Sequence, residues 1–207
     1  MAKLALLALA VTAAAGAFSL LFSWFYQPFF AEHLDGVLAP QLFNLRGVDF
    51  AAWTLAAFAI GAIAGVLIGR TVPAMAAALA AWAGLALGTT LFLRTHYQAP
   101  LLVKGNGPSF INNPPWVINQ WYTGPNGTPV GQQTVRNVMQ HAPASVRNSL
   151  NPNVATAYLS AHHYTQWWTY QPESRFWHFQ LIEGGWLLAL SLILIAATVW
   201  LVRRRAA

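Results

Sequence analysis

Four stretches of the chain run apolar for about 20 residues with no charge near their centres: Leu4 to about Phe25, Phe50–Gly69, Val72–Leu93 and about Leu181–Val202. About 20 such residues carry a helix across a bilayer. In lipid every backbone polar group must be satisfied internally, so segments of this kind are helical. The expected fold class is an all-α integral membrane protein. Four transmembrane helices would carry a small, mostly helical or irregular extracytoplasmic domain between the third and fourth.

Charge supports this. Only 8% of residues are charged, against about a quarter in a soluble domain, which is too few to solvate a water-facing surface. An ordinary soluble globular protein is excluded. Eleven Lys and Arg against five acids give a net charge of +6, but the basic residues form no long stripe, so the expected partner is membrane lipid and not nucleic acid. With no cysteine, disulfides, Cys-ligated zinc, iron–sulfur clusters and thiol catalysis are excluded.

Orientation follows from Lys and Arg beside the spans. Lys3, Arg70 and Arg203-Arg204-Arg205 fall on one side, read as cytoplasmic. Arg46, Arg94, Lys104, Arg136, Arg147 and Arg175 fall on the other, with all five acids, Glu32, Asp35, Asp49, Glu173 and Glu183. Both termini are therefore expected in the cytoplasm of a plasma-membrane protein. Met1–Ala17 also has signal-peptide features, ending in Ala15-Gly16-Ala17. The apolar run continues through Leu20, Leu21, Phe22, Trp24 and Phe25, however, as a full span would. The organisation read from this is a first span over 1–25, an outer loop over 26–49, a transmembrane hairpin over 50–94, an aromatic-rich outer domain over 95–180, and a fourth span with a basic tail over 181–207.

The second and third spans meet at Arg70-Thr71-Val72-Pro73, where Arg70 suits a helix carboxyl end and Pro73 a first helical turn. Gly61, Gly65 and Gly69 recur every four residues, as do Ala76, Ala80, Gly84 and Gly88. Small residues at this spacing let helix backbones approach closely, so the expectation is packing within this hairpin rather than a dimerisation face.

The 95–180 segment is rich in Asn, Gln, Pro and Gly, yet carries Trp116, Trp121, Trp167, Trp168 and Trp177. A linker would be poor in aromatics, so a small folded domain is expected. Gln132–Gln140 reads as a helix presenting Val135, Val138 and Met139. A second begins with Asn151 as N-cap and Pro152 at the first position, with Val154, Ala157, Tyr158 and Ala161 toward the core. Pro114-Pro115-Trp116 and Gly124-Pro125-Asn126-Gly127 read as loops and turns. Trp167, Trp168, Tyr170, Phe176, Trp177 and Phe179 suit the headgroup level, where apolar rings with polar tips collect.

Catalytic patterns are missing from the sequence. The histidines His33, His96, His141, His162, His163 and His178 contain no His-Glu-x-x-His arrangement, and neighbours His162 and His163 would point about 100° apart on a helix. Ser109, Ser145, Ser149, Ser160 and Ser174 lie in no Gly-x-Ser-x-Gly elbow. Glu173 could pair with His178 or equally with Arg175. No phosphate-binding loop occurs, so no cofactor is expected and the chain reads as no enzyme. The spans offer only Thr and Ser as small polar groups, with Glu183 and Arg94 at outer ends. Ion-coupled carriers place ionisable groups inside the membrane, so energy for any transport would come from elsewhere.

Several segments resemble ABC transporter permease subunits of actinobacteria: Asn44-Leu45-Arg46-Gly47-Val48, Ala57-Phe58-Ala59-Ile60-Gly61, Arg70-Thr71-Val72-Pro73-Ala74-Met75, Tyr170-Gln171-Pro172-Glu173-Ser174-Arg175-Phe176-Trp177 and Thr198-Val199-Trp200-Leu201-Val202-Arg203-Arg204-Arg205. The resemblance implies an exporter-type permease working with a separate ABC ATPase. Such permeases have six spans, and this chain resembles the carboxyl-terminal four, as a truncated or split permease would. Further permease spans or a homodimer partner are then expected. Residues singled out are Gly61, Gly65, Gly69, Ala80 and Gly84 for helix packing, Arg70 and Pro73 for the inner turn, and Arg175, Trp177 and Glu183 for anchoring the outer domain. The alternative is a non-transporting membrane protein whose outer domain binds an envelope component or partner protein. A third reading is an envelope enzyme using the outer His and Ser residues.

Overall fold

The computed structural model describes residues 2–30, 38, 40–105, 107–108 and 115–206. Glu32, His33, Asp35, Ser109 and Pro114 lie outside the described residues. The chain divides into two compact units. One comprises the segments ending at Gln98 and starting at Ser174, and the other Ala99–Glu173.

The first unit is a helical bundle. Its elements are α1 (Ala2–Phe30), a single turn α2 (Pro40–Phe43), α3 (Asp49–Ile68), α4 (Thr71–Gly88) and α8 (Phe176–Ala206). Among the described residues four helices are long and apolar enough to cross a membrane: Ala5–Tyr26, Asp49–Ile68, Thr71–His96 and Glu173–Arg205. The second begins one residue before its apolar window and the third ends three residues after its own, which brings Asp49 and Arg94 into the helices; Glu183 already lies near the start of the fourth window.

Helix α3 is the centre, packing against α8, α4 and α1. Trp53, Ala56 and Leu187 form the core, with Ala52, Leu85, Ala86 and Trp186 against it. The Trp53 ring meets those of Trp82 and Trp186 edge-on, at 6.1 and 6.2 Å between centroids. On α8 the buried positions Gln180, Glu183, Leu187, Ser191 and Thr198 recur at helical spacing and give one stripe. Large apolar residues point outward instead: Leu6, Leu20, Trp24, Leu79, Leu192 and Ile193 are all exposed. A soluble bundle would bury them, and a lipid-solvated one need not.

Span hydroxyls bond within their own helices. Thr12, Thr54, Thr89, Ser191 and Thr198 each donate to the carbonyl four residues back, at 2.7–2.8 Å. This satisfies a polar group that lipid could not. Ser19 departs from the pattern and donates to the Gly47 carbonyl at 2.9 Å, tying α1 to the segment before α3.

The α3–α4 turn is set by Gly69, whose φ of +67° forms a left-handed cap with its N–H on the Gly65 carbonyl. Arg70 follows in extended conformation, and Pro73 falls in the first turn of α4, where its missing N–H costs no helical bond. Arg205 donates to the Val66 carbonyl, so the basic tail of α8 lies at this same end of the bundle. After Gly88 the helix widens into a π turn (Thr89–Leu93) and tightens into a 3-10 turn (Arg94–His96). The inserted residue of a π turn changes which face the following side chains occupy.

The second unit holds an antiparallel sheet, where the sequence reading expects helices and irregular chain. Its strands are β1 (Leu101–Lys104), β2 (Trp116–Thr123), β3 (Pro129–Val130) and β4 (Thr165–Gln171), in the order β1-β4-β2-β3. Helices α5 (Gln132–Gln140), α6 (Ala144–Arg147) and α7 (Pro152–Ala161) lie between β3 and β4 in sequence. Trp and Tyr suit a pleated, half-buried surface, so Trp167, Trp168 and Tyr170 are strand residues. Trp121 and Trp167 sit opposite each other in register and stack at 6.3 Å. Gly124–Gly127 makes the β2–β3 turn, with Gly127 at φ +72°. Asn151 caps α7 by accepting from the Asn153 N–H at 3.0 Å. Leu159 is the buried residue of that helix, whereas Ala157 and Ala161 are exposed.

Candidate functional site

The feature of the bundle that apolar packing does not explain is a buried polar cluster at the end bearing the amino end of α3. The local chain sets it up. After α2, Gly47 adopts φ +66°, and a Cβ there would lie 2.5 Å from Gln180 Oε1. Only glycine meets both the conformation and the space. The Asp49 N–H then donates to Gln180 Oε1 at 2.9 Å, and Gln180 Nε2 donates to the Phe43 carbonyl at 3.2 Å. One amide side chain on α8 thereby holds both α2 and the start of α3.

Glu183, one helical turn further along α8, is fully buried. Its Oε1 accepts from Trp53 Nε1 at 2.9 Å and from Arg94 Nη2 at 2.6 Å. Its Oε2 accepts from Arg94 Nε at 3.0 Å and from the Tyr97 hydroxyl at 3.3 Å. Four donors from α3 and the end of the third span thus converge on one carboxylate. Arg94 is fully buried too, donates also to Asn44 Oδ1, and lies over the Phe43 ring with Cζ 4.3 Å from its centroid. Two parallel N–H bonds to one carboxylate are the strong geometry for arginine. Trp186 Nε1 donates to the Tyr97 oxygen at 3.0 Å, and burial pushes the Tyr97 phenol above its ordinary range, so it stays a donor.

Asp49 completes the cluster. It is fully buried, and neither carboxylate oxygen has a hydrogen-bond donor. Helix α8 comes close here: a Cβ on Gly184 would lie 3.3 Å from Val48 Cγ2 and 3.7 Å from Asp49 Oδ1.

The residues singled out from sequence are distributed differently. Glu183 lies at the heart of the cluster, where Arg94 faces it from the neighbouring helix as its ion partner. Trp177 is exposed near the start of α8. Gly61, Gly65 and Gly69 line an open cleft of about 360 Å³ with Arg70, Thr71, Ala74, Met75 and Ala78. Ala80 and Gly84 are exposed. A Cβ on Gly61, Gly65, Gly69 or Gly84 would meet nothing within 4 Å. The two small-residue stripes therefore do not close on each other, because α4 turns Ala74, Leu85 and Thr89 inward, a different helical phase.

His96, His141 and His162 each bond through Nδ1 to the carbonyl four residues back, at 2.6–2.9 Å. That is a helix-terminal capping role. No group of three His, Asp or Glu suited to a metal occurs among the described residues. Sequence reasoning missed Asp49, Trp53, Tyr97 and Gln180. Asp49 and Trp53 stand four apart on one helix face, the available signal. Tyr97 and Gln180 carried none.

Comparison with known proteins bears on the bundle. Residues 1–94 match the family model described as ABC-2 membrane transporter related. The match covers 94 of the 207 residues, taking in α1, α3, α4 and the π turn up to Arg94, and not the sheet unit or α8. No curated protein and no solved structure matches the chain. The chain is a multi-pass membrane protein whose first three candidate spans are similar to a transporter-related family.

Proposed function

We propose that the chain is a membrane-spanning permease subunit, or permease fragment, of an ABC-type transporter, an exporter driven by a separate ATPase. The observation that carries this is the family match over the first three candidate spans. It agrees with the permease-like segments in the sequence and with the lack of any ATP-binding motif in the chain. The chain itself is then no enzyme and needs no cofactor. On this reading the Arg70 turn and the Arg203–Arg205 tail face the cytoplasm, as the basic bias directs, and residues 99–173 lie outside the plasma membrane. Arg175 and Trp177 hold the junction between that domain and the fourth span. The exposed small residues Ala80 and Gly84 and the cleft beside Gly61 and Gly65 are where further permease spans or a second copy pack.

Affinity purification of the chain from native membranes in mild detergent, with mass spectrometry of what is retained, tests the assignment. A co-purifying P-loop ATPase is the expected result. Recovery at good yield after cross-linking with no ATPase would overturn it, and would favour a membrane protein whose outer domain binds an envelope component. Orientation has a direct test, since the chain contains no cysteine. Leu150→Cys, at a fully exposed position, should label with a membrane-impermeant maleimide in intact cells, and Arg70→Cys should not.

A further inference from the structure

The sheet unit carries charges almost all of one sign. Between Asp49 and Glu173 the sequence has no acid, while Lys104, Arg136 and Arg147 all fall within the unit. Two of these cations are brought to one place. Helix α5 buries Val135 and half-buries Val138 and Met139, and Arg136 and Gln140 run beside them four residues apart, as neighbours on a helix surface do. Buried Ala142 and then Pro143 turn the chain after α5. The Val146 and Arg147 N–H groups donate back to the Pro143 carbonyl at 2.9 and 3.0 Å, forming α6. That turn returns Arg147 to α5, where Val135, Arg136, Met139, Gln140 and Arg147 line an open cavity of about 320 Å³. Its floor is apolar, and its exposed rim holds two guanidinium groups and an amide. Neither guanidinium has a hydrogen-bond or ion partner among the described residues.

Two like charges beside one cavity are stabilised by an anion between them. The planar fork of arginine matches the oxygens of a carboxylate or phosphate in pairs. The floor suits a hydrocarbon stem, since methionine adapts its shape to what it packs against. The volume is at the small end of ligand pockets, which fits one short stem and leaves no room for the two acyl chains of a membrane lipid. We propose that this cavity binds a small soluble amphipathic anion, a phosphate ester or carboxylate on a short apolar stem. Arg136 and Arg147 hold its charged head, and Val135 and Met139 hold the stem. The proposal rests on the sheet unit alone and goes beyond the transporter reading. Failure of an ATPase to co-purify leaves it intact, and failure to bind leaves that reading intact.

The test is methyl NMR of the full chain in zwitterionic lipid nanodiscs, titrated with hexyl phosphate. The chain has three methionines, Met1, Met75 and Met139, so labelled methyl groups give few resonances, and Met139→Leu assigns the one in the cavity. Met75 lines the cleft beside Gly61 and reports on probe that merely enters lipid. The expected result is a saturable Met139 shift with Met75 unmoved. Affinity should fall about fivefold in Arg136→Gln and in Arg147→Gln, and in the parent as salt is raised. Both substitutions are at exposed positions and leave the buried face of α5 untouched. Arg147→Lys, which keeps the charge but not the fork, should fall between parent and glutamine variant. Hexanol, the stem alone, and inorganic phosphate, the head alone, should each bind more weakly than the ester. No Met139 shift at millimolar probe, an equal shift of Met75, affinity unchanged in both glutamine variants, or either half of the probe matching the whole would overturn the proposal. So would a Met139 shift produced without probe by adding phosphatidic acid to the nanodiscs, which would assign the cavity to a lipid head group.

Discussion

Replacing Arg94 by methionine keeps most of the side-chain volume and removes the charge. At the 2.6 Å separation of Arg94 Nη2 and Glu183 Oε1, the attraction is ~6 kcal/mol at an effective dielectric of about 20. Desolvating the two ions offsets several kcal/mol of this, so the pair is not worth its Coulomb energy. The single variant loses more than the pair's net value, because Glu183 keeps only the Trp53 and Tyr97 donors and stays buried. We expect a loss of about 3–5 kcal/mol. In Arg94→Met/Glu183→Met both ions are gone, and most of the loss should return. The assay is equilibrium unfolding in mixed micelles followed by tryptophan fluorescence, with Trp53 and Trp186 reporting from the cluster itself. A single-variant cost under about 1 kcal/mol, the level of an exposed pair, would refute the reasoning. So would a double variant as unstable as the single.

Gly47→Ala places a Cβ against Gln180 Oε1 at a positive φ and should cost at least about 1–2 kcal/mol, read by the same unfolding assay; Gln180→Ala in that background should lessen the added cost. Trp121→Ala removes a stacked cross-strand partner of Trp167, and residues 99–173 should become more susceptible to proteolysis, with about 0.5–1.5 kcal/mol lost with the ring pair. Burial pushes the Tyr122 phenol up, with the Gln120 amide partly opposing it. The folded sheet unit then holds that proton more tightly than the unfolded chain does, so the tyrosine's contribution is complete below about pH 10 and falls as pH rises beyond it. Tyr122→Phe should flatten that alkaline loss when melting is followed against pH.

The four long helices are legible from the sequence because lipid permits little else for an uncharged apolar stretch of that length. The Asn151–Pro152 helix start is legible because capping chemistry is local. The sheet unit is not, since β1 and β4 are joined by pairing across more than sixty residues, and Trp167-Trp168-Thr169-Tyr170 suits a membrane interface as well as a strand. Small-residue spacing identified possible faces but not which one each helix turns inward. The polar cluster was half visible: Glu183 stood out as an acid near a span, but its partner is fixed by helix neighbours and by the π turn before Arg94, neither of which a linear pattern records.

Synthesis imposes an order on the cluster. Arg94 precedes Glu183 by 89 residues, an interval of about 4 to 18 s at ordinary translation rates. During that time the third span must be handled with its arginine lacking the carboxylate that will neutralise it, while Asp49 has yet to meet the helix that encloses it. The strand β4, which lies between β1 and β2 in the finished sheet, is also made late, directly before α8. Both units therefore reach closure within the same short stretch of chain, and the fourth span is the piece whose arrival gives the arginine of the third its carboxylate.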